Sequence, residues 1–102
     1  MTRILLFCAA GMSTSMLVSK MKKAANDLGV DVSIEAYPES EMSKRVDEAD
    51  VVLLGPQVKF VLPKAKSIFE PKGIPVEVIN TMDYGMMNGE KVLKRALEIS
   101  KK

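Results

Sequence analysis

Two uninterrupted apolar runs, Ile4-Leu5-Leu6-Phe7 and Val51-Val52-Leu53-Leu54, constrain the fold of this chain more than any other feature. A strand that is apolar at every position has no solvent face and must be covered above and below. The centre of a parallel sheet with helices on both sides meets that condition. The intervening segments supply the cover. Leu17, Met21, Ala24 and Leu28 recur at helical spacing and end at Gly29, a predicted C-cap. Ser13, Thr14 or Ser15 can cap the start of this helix. Val30, Val32, Ile34 and Ala36 alternate with polar residues, which predicts a strand with a more exposed face, closed by Pro38. A short helix is expected over residues 39–46, with Met42 and Val46 on one face. Val58, Val61, Leu62, Ala65, Ile68 and Phe69 predict an amphipathic helix. Pro63 fits it if the helix starts near Lys59 or Phe60, because first-turn N–H groups lack intrahelical partners. Pro71 and Gly73 stop it. Residues 75–79 read as a strand whose leading Pro75 suits an edge. Val92, Leu93, Ala96 and Leu97 mark a last helix over residues 89–100.

Four strands joined by helical crossovers predict one three-layer α/β domain over residues 1–102, with a four-stranded parallel sheet in order 2-1-3-4 and helices on both faces. The first and third strands, apolar throughout, are the central neighbours. In such sheets ligands bind beyond the carboxyl ends of the strands where the order reverses. Cys8, expected as the residue immediately after strand one, lies at that point.

Composition removes whole classes of chemistry. The chain has no histidine, so a Ser-His-Asp triad, a Cys-His pair and a histidine phosphocarrier are all excluded within it. Its one cysteine cannot form an internal disulfide, a Cys-x-x-Cys redox pair or a thiolate zinc cluster. Neither a cofactor nor a metal is expected. Fifteen basic against thirteen acidic residues give a net charge of only +2, without a dense basic run interleaved with aromatics, so nucleic acid is not an expected partner. No apolar stretch approaches the roughly 18 residues that a membrane span requires. The expectation is a cytoplasmic protein without membrane insertion. Any covalent chemistry falls to Cys8, and any histidine in it must come from a partner.

Cys8-Ala9-Ala10-Gly11-Met12-Ser13-Thr14-Ser15 joins the first strand to the first helix. Small residues and Gly11 let the backbone curl so that several N–H groups converge, and with the helix N-terminus they make an anion site. That positive end is expected to favour the reactive thiolate. The hydroxyls of Ser13, Thr14 and Ser15 can add donors to phosphate oxygens. Separately, a lone cysteine beside a strand is usually a small buried hydrophobe, and Ser-Thr-Ser is usually a cap. Their combination at the functional edge of the sheet favours a phosphate loop.

The octet, with a strand before it and a helix after it, resembles the cysteine loop of IIB components of the phosphoenolpyruvate-dependent sugar phosphotransferase system, in the lactose/cellobiose/chitobiose branch. Leu53-Leu54-Gly55-Pro56-Gln57-Val58 and Met82-Asp83-Tyr84-Gly85-Met86-Met87-Asn88-Gly89 are similar to later segments of that branch, so the resemblance spans the chain. It implies phosphoryl transfer from a phosphohistidine on a IIA partner to Cys8, then to a β-linked disaccharide held by a membrane IIC permease. The loop is also close to that of low-molecular-weight tyrosine phosphatases, whose fold the chain is expected to share. Those enzymes carry an arginine six positions after the cysteine, where this chain has Thr14. Without that guanidinium, water attack on a phosphocysteine loses its main charged stabiliser. Their late Asp-Pro general-acid motif is absent too, since Tyr84 follows Asp83. A cysteine-dependent phosphatase and a non-catalytic regulatory domain remain as alternatives.

Three further residues join the candidate site. Gln57, after the third strand, can hydrogen-bond the loop or the phosphoryl group, although Gly55-Pro56 is equally read as a plain turn. Asp83 and Tyr84 lie in a loop after the fourth strand, on the same rim. Asp83 would repel a thiophosphate and therefore suits bracing or partner contact. Met12, Met16, Met86 and Met87 are open between core filler and docking. Lys59, Lys64 and Lys66 read as a solvated face.

Overall fold

The computed structural model describes residues 1–9 and 14–100, and of Thr14 only the backbone. Strand β1 (Thr2–Cys8) leads to helix α1 (Thr14–Leu28), then to β2 (Val32–Pro38), β3 (Val51–Leu54), α2 (Leu62–Phe69), β4 (Val76–Val78), α3 (Thr81–Gly85) and α4 (Gly89–Ser100). The four strands form one parallel sheet in the order β2-β1-β3-β4, as expected. In β1 and β3 every residue from Ile4 to Cys8 and from Val51 to Leu54 is buried, because helices cover both faces.

Alternation along the strands sorts the core into two halves. Ile4, Leu6, Val51, Leu53 and Ile79 point to one face and pack with Leu17, Met21, Leu93 and Ala96 of α1 and α4. Leu5, Phe7, Val52 and Leu54 point to the other and meet Val58, Val61, Ala65 and Phe69. There the Phe7 ring lies between Phe69, at a centroid distance of 5.9 Å, and Tyr37, at 6.3 Å. On the first face α4 touches α1 closely. A Cβ added to Gly89 would stand 2.5 Å from the carbonyl carbon of Lys20 and 2.6 Å from the nitrogen of Met21, so only glycine fits.

Four expectations change in detail, each for a physical reason. Cys8 is the last residue of β1 rather than the first of the loop, because pairing with β2 carries the strand on until Cys8 stands opposite Pro38. The segment 39–46 forms 3-10 turns, Glu39–Lys44 and Val46–Glu48, instead of one α-helix. The helix read from Val58 starts as a 3-10 turn, Pro56–Val61, and becomes α-helical only at Leu62. Pro63 has no N–H to give to the carbonyl of Lys59, and the Leu62 N–H bonds that carbonyl instead. The rim loop after β4 contains a helical turn, α3, because the Asn80 side chain accepts hydrogen bonds from the N–H groups of Met82 (2.9 Å) and Asp83 (3.1 Å).

Candidate functional site

Cys8 ends a central strand, with β2 on one side and β3 on the other, and is only 8% exposed. Its Sγ lies 3.9 Å from the Tyr37 carbonyl oxygen, to which the thiol donates a weak hydrogen bond. On the other side β3 runs into Gly55, whose N–H donates to the Phe7 carbonyl at 2.9 Å. A Cβ on Gly55 would lie 3.5 Å from the Cys8 Cβ and 3.1 Å from the Gln57 Oε1. The backbone of Gly55 therefore lies against the cysteine, and the amide of Gln57 folds back over it. With φ −63° and ψ 147°, Gly55 has an ordinary extended backbone, so close approach is its role here. Sequence reasoning took it for a turn residue. The available signal was a glycine placed where strand three reaches the switch point.

The other candidates fall in three groups. Ala10, Gly11, Met12 and Ser13 lie outside the described residues, as does the side chain of Thr14. Ala9 is partly buried and packs against the α2-side core, while Ser15 is exposed in the first turn of α1. Asp83 and Tyr84 are brought together on α3, which follows β4, the strand two places from β1 in the sheet. Tyr84 is buried in the α1–α4 half of the core. Asp83 lines a cleft of about 430 Å³ beside β4, together with Asn80, Lys91 and Arg95. In that cleft Arg95 holds Glu77 through two nitrogens, at 2.7 and 2.9 Å. Among the methionines, Met16 and Met86 are exposed, whereas Met87 packs on the core with φ 53°, turning the chain from α3 into α4.

Electrostatically marked groups lie elsewhere. At the N-terminal edge of the sheet Asp50 accepts hydrogen bonds from the side chain and backbone N–H of Arg3, which hold its carboxyl below the usual range. Arg45 stacks 4.1 Å above the Tyr37 ring while binding Glu41 and Glu48. Among the described residues no group of acidic, histidine or cysteine side chains can hold a metal ion, and no helix is long and apolar enough to cross a membrane.

A single cysteine at the carboxyl end of a central strand, between two strand ends and ahead of a helix, places a thiol where open parallel sheets generally bind ligands. Residues 3–95 match the family described as the lactose/cellobiose-specific IIB subunit of the phosphotransferase system. The chain belongs to this family. It is thus a IIB component of the sugar phosphotransferase system, in the lactose/cellobiose family, and a phosphotransferase. It is 48% identical over 98 residues to the cellobiose-specific EIIB component of Lactococcus lactis subsp. lactis, covering 91% of each chain. It is 40% identical over 99 residues to the oligo-beta-mannoside-specific EIIB component of Bacillus subtilis, covering 97% of this chain and 96% of that one. The solution structure of the cellobiose-specific IIB component from Borrelia burgdorferi superposes with a TM-score of 0.78 at 52% identity, covering 95% of this chain and 89% of the other. The lactose-specific IIB domain from Streptococcus pneumoniae gives a TM-score of 0.85 with 95% of each chain covered; at 23% identity it shows the shared fold alone.

Proposed function

We propose that Cys8 accepts a phosphoryl group from the phosphohistidine of a IIA protein and passes it to a β-linked disaccharide of the cellobiose, chitobiose or lactose type bound by a membrane IIC permease, on the cytoplasmic side. The observation that carries this reading is the position of Cys8 in a IIB family chain without any histidine: the sole thiol stands at the carboxyl edge of the sheet. In the first transfer the thiolate attacks phosphorus. A P–S bond forms, the P–N bond breaks, and the thiol proton ends on the departing imidazole. In the second a sugar oxygen attacks, a P–O bond forms, the P–S bond breaks, and the hydroxyl proton returns to the thiolate side. Residues 9–15 supply donors to the phosphate oxygens, and the Gln57 amide, folded over Gly55, stands ready as another. Asp83 and Tyr84, on the turn after β4, serve in bracing or partner contact rather than as a general acid.

Incubation with the general phosphotransferase proteins and a cellobiose-type IIA protein, followed by intact-mass measurement, tests the proposal. One phosphoryl group should appear on the wild type, in an S–P linkage, and none on Cys8→Ser. Labelling of the serine variant at the wild-type level would end this reading. Rapid spontaneous loss of the label from the wild type would favour the phosphatase.

A further inference from the structure

We propose that the segment from Gln57 to Lys66, with Phe60 as its anchor, is the surface on which the phosphodonor protein docks through an acidic face; this rests on the reading of Cys8 as phosphate acceptor. Phe60 is 73% exposed, the most exposed aromatic side chain among the described residues. Its position follows from the local backbone. The backbone kinks at Val58 (φ −116°, ψ 25°), which divides Pro56–Val61 into two short 3-10 stretches; Val58 and Val61 are both buried in the core, while Lys59 and Phe60 between them are exposed. The turn is stiff: Pro56 opens it, Pro63 follows it, and the two valines hold it from below. A ring displayed on a rigid base loses little conformational freedom when a partner covers it, as interface anchors do.

Charge identifies the occupant. From Gly55 to Phe69 the chain carries Lys59, Lys64 and Lys66 and no acidic residue, although the whole molecule is only +2. All three lysines are exposed, and none is in an ion pair with a described residue. Elsewhere Arg3, Arg45, Lys72, Lys94 and Arg95 are paired with carboxylates. Lys20, Lys22, Lys23, Lys44 and Lys91 are also in no ion pair with a described residue, but none of these unpaired lysines adjoins an exposed aromatic ring in a stretch of fifteen residues without a carboxylate. An apolar anchor in an unneutralised positive field fits a partner with an apolar recess and an acidic rim, and the field speeds the encounter. The surface leads directly to the reaction centre. Gln57, at its near end, touches the position where Gly55 meets Cys8. A protein seated on Phe60 is thus placed beside the sulfur, and the arriving phosphoryl group adds to its negative charge.

The test is transfer kinetics from a phosphorylated cellobiose-type IIA protein to the wild type, Phe60→Ala, the single variants Lys59→Glu and Lys64→Glu and their double variant, and Lys91→Glu, in the cleft beside β4, as the control matched in charge to each single variant. Phe60 and the lysines are exposed, so the variants should keep the wild-type melting temperature. Phe60→Ala is expected to raise the KM for the donor tenfold or more with kcat within twofold. The double lysine variant should do the same at low salt and move closer to wild type at high salt, while Lys91→Glu matches wild type. A wild-type KM in both Phe60→Ala and the double variant overturns the docking surface and leaves the function of Cys8 standing. A wild type that accepts no phosphoryl group overturns both. Loss of binding to phosphatidylglycerol vesicles by Phe60→Ala, with an unchanged donor KM, would assign the surface to lipid and overturn the protein partner.

Discussion

The two faces of the sheet are covered in different ways. On one, α1 and α4 lie so close that Gly89 has no room for a methyl group beside Lys20 and Met21, and small residues (Ala24, Ala25, Ala96) fill the seam. On the other, a single eight-residue helix preceded by a 3-10 turn covers the strands, and large rings take up the space. The first face is made tight by removing side chains, the second by adding bulky ones. The difference assigns separate tasks. The paired helices set the position of α1, whose first turn follows the cysteine loop. The shorter cover leaves side chains such as Phe60 directed outward.

If that contrast is correct, the largest loss should come from hollowing the second face. Phe69→Ala removes the ring that meets Phe7 and should cost about 3–5 kcal/mol by the usual scale for buried aromatics. Chemical denaturation with unchanged m-value measures it, and a loss below about 1 kcal/mol would mean that the ring is not the support described. The opposite operation tests the first face. Gly89→Ala inserts a methyl group against backbone and should cost about 1–3 kcal/mol as an overpacking change. A neutral result in the same denaturation experiment would show that the helices can separate freely, and the contrast between the faces would fail.

The smallest expected effect concerns the edge that both faces share. Asp50 binds Arg3 through side chain and backbone, which joins the start of β1 to the start of β3. Its folded-state carboxyl lies below the ordinary value of 3.8, so the stability it supplies is present above that value and is lost as pH falls through the lower, folded one. Both side chains are more than a third exposed, which limits the contribution to about 1 kcal/mol or less. The stability difference between wild type and Asp50→Asn should therefore shrink below about pH 4. A difference that stays constant into acid would disconnect the carboxylate from this edge.

The sheet order was legible because it follows from a strong inequality: β1 and β3 are apolar at every position, and only central strands tolerate that. Cys8 was legible for the same reason, since the topology alone sends the end of β1 to the switch point. The start of α2 was not. Val58 and Val61 are three apart, Val61, Ala65 and Phe69 four apart, and one apolar pattern therefore covers both a 3-10 turn and an α-helix. The missing N–H of Pro63 decides where one becomes the other, and the outward direction of Phe60 depends on that decision. Tyr84 was placed on the rim by its position after β4, whereas the cap at Asn80 winds the chain into α3 and Tyr84 is buried in the core. Gly55 was legible as a turn, but its contact with Cys8 depends on the lateral pairing of β1 with β3, which no local pattern records.

The neighbours of the sulfur come from chain positions far apart: Tyr37 on one side, Gly55 and Gln57 on the other. During synthesis Cys8 emerges before these neighbours, and its surroundings cannot exist until Gln57 has followed and both flanking strands have paired with β1. A nascent chain, or a fragment cut short before residue 57, therefore carries the thiol without these neighbours. The competence proposed for Cys8 arrives only with the completed sheet.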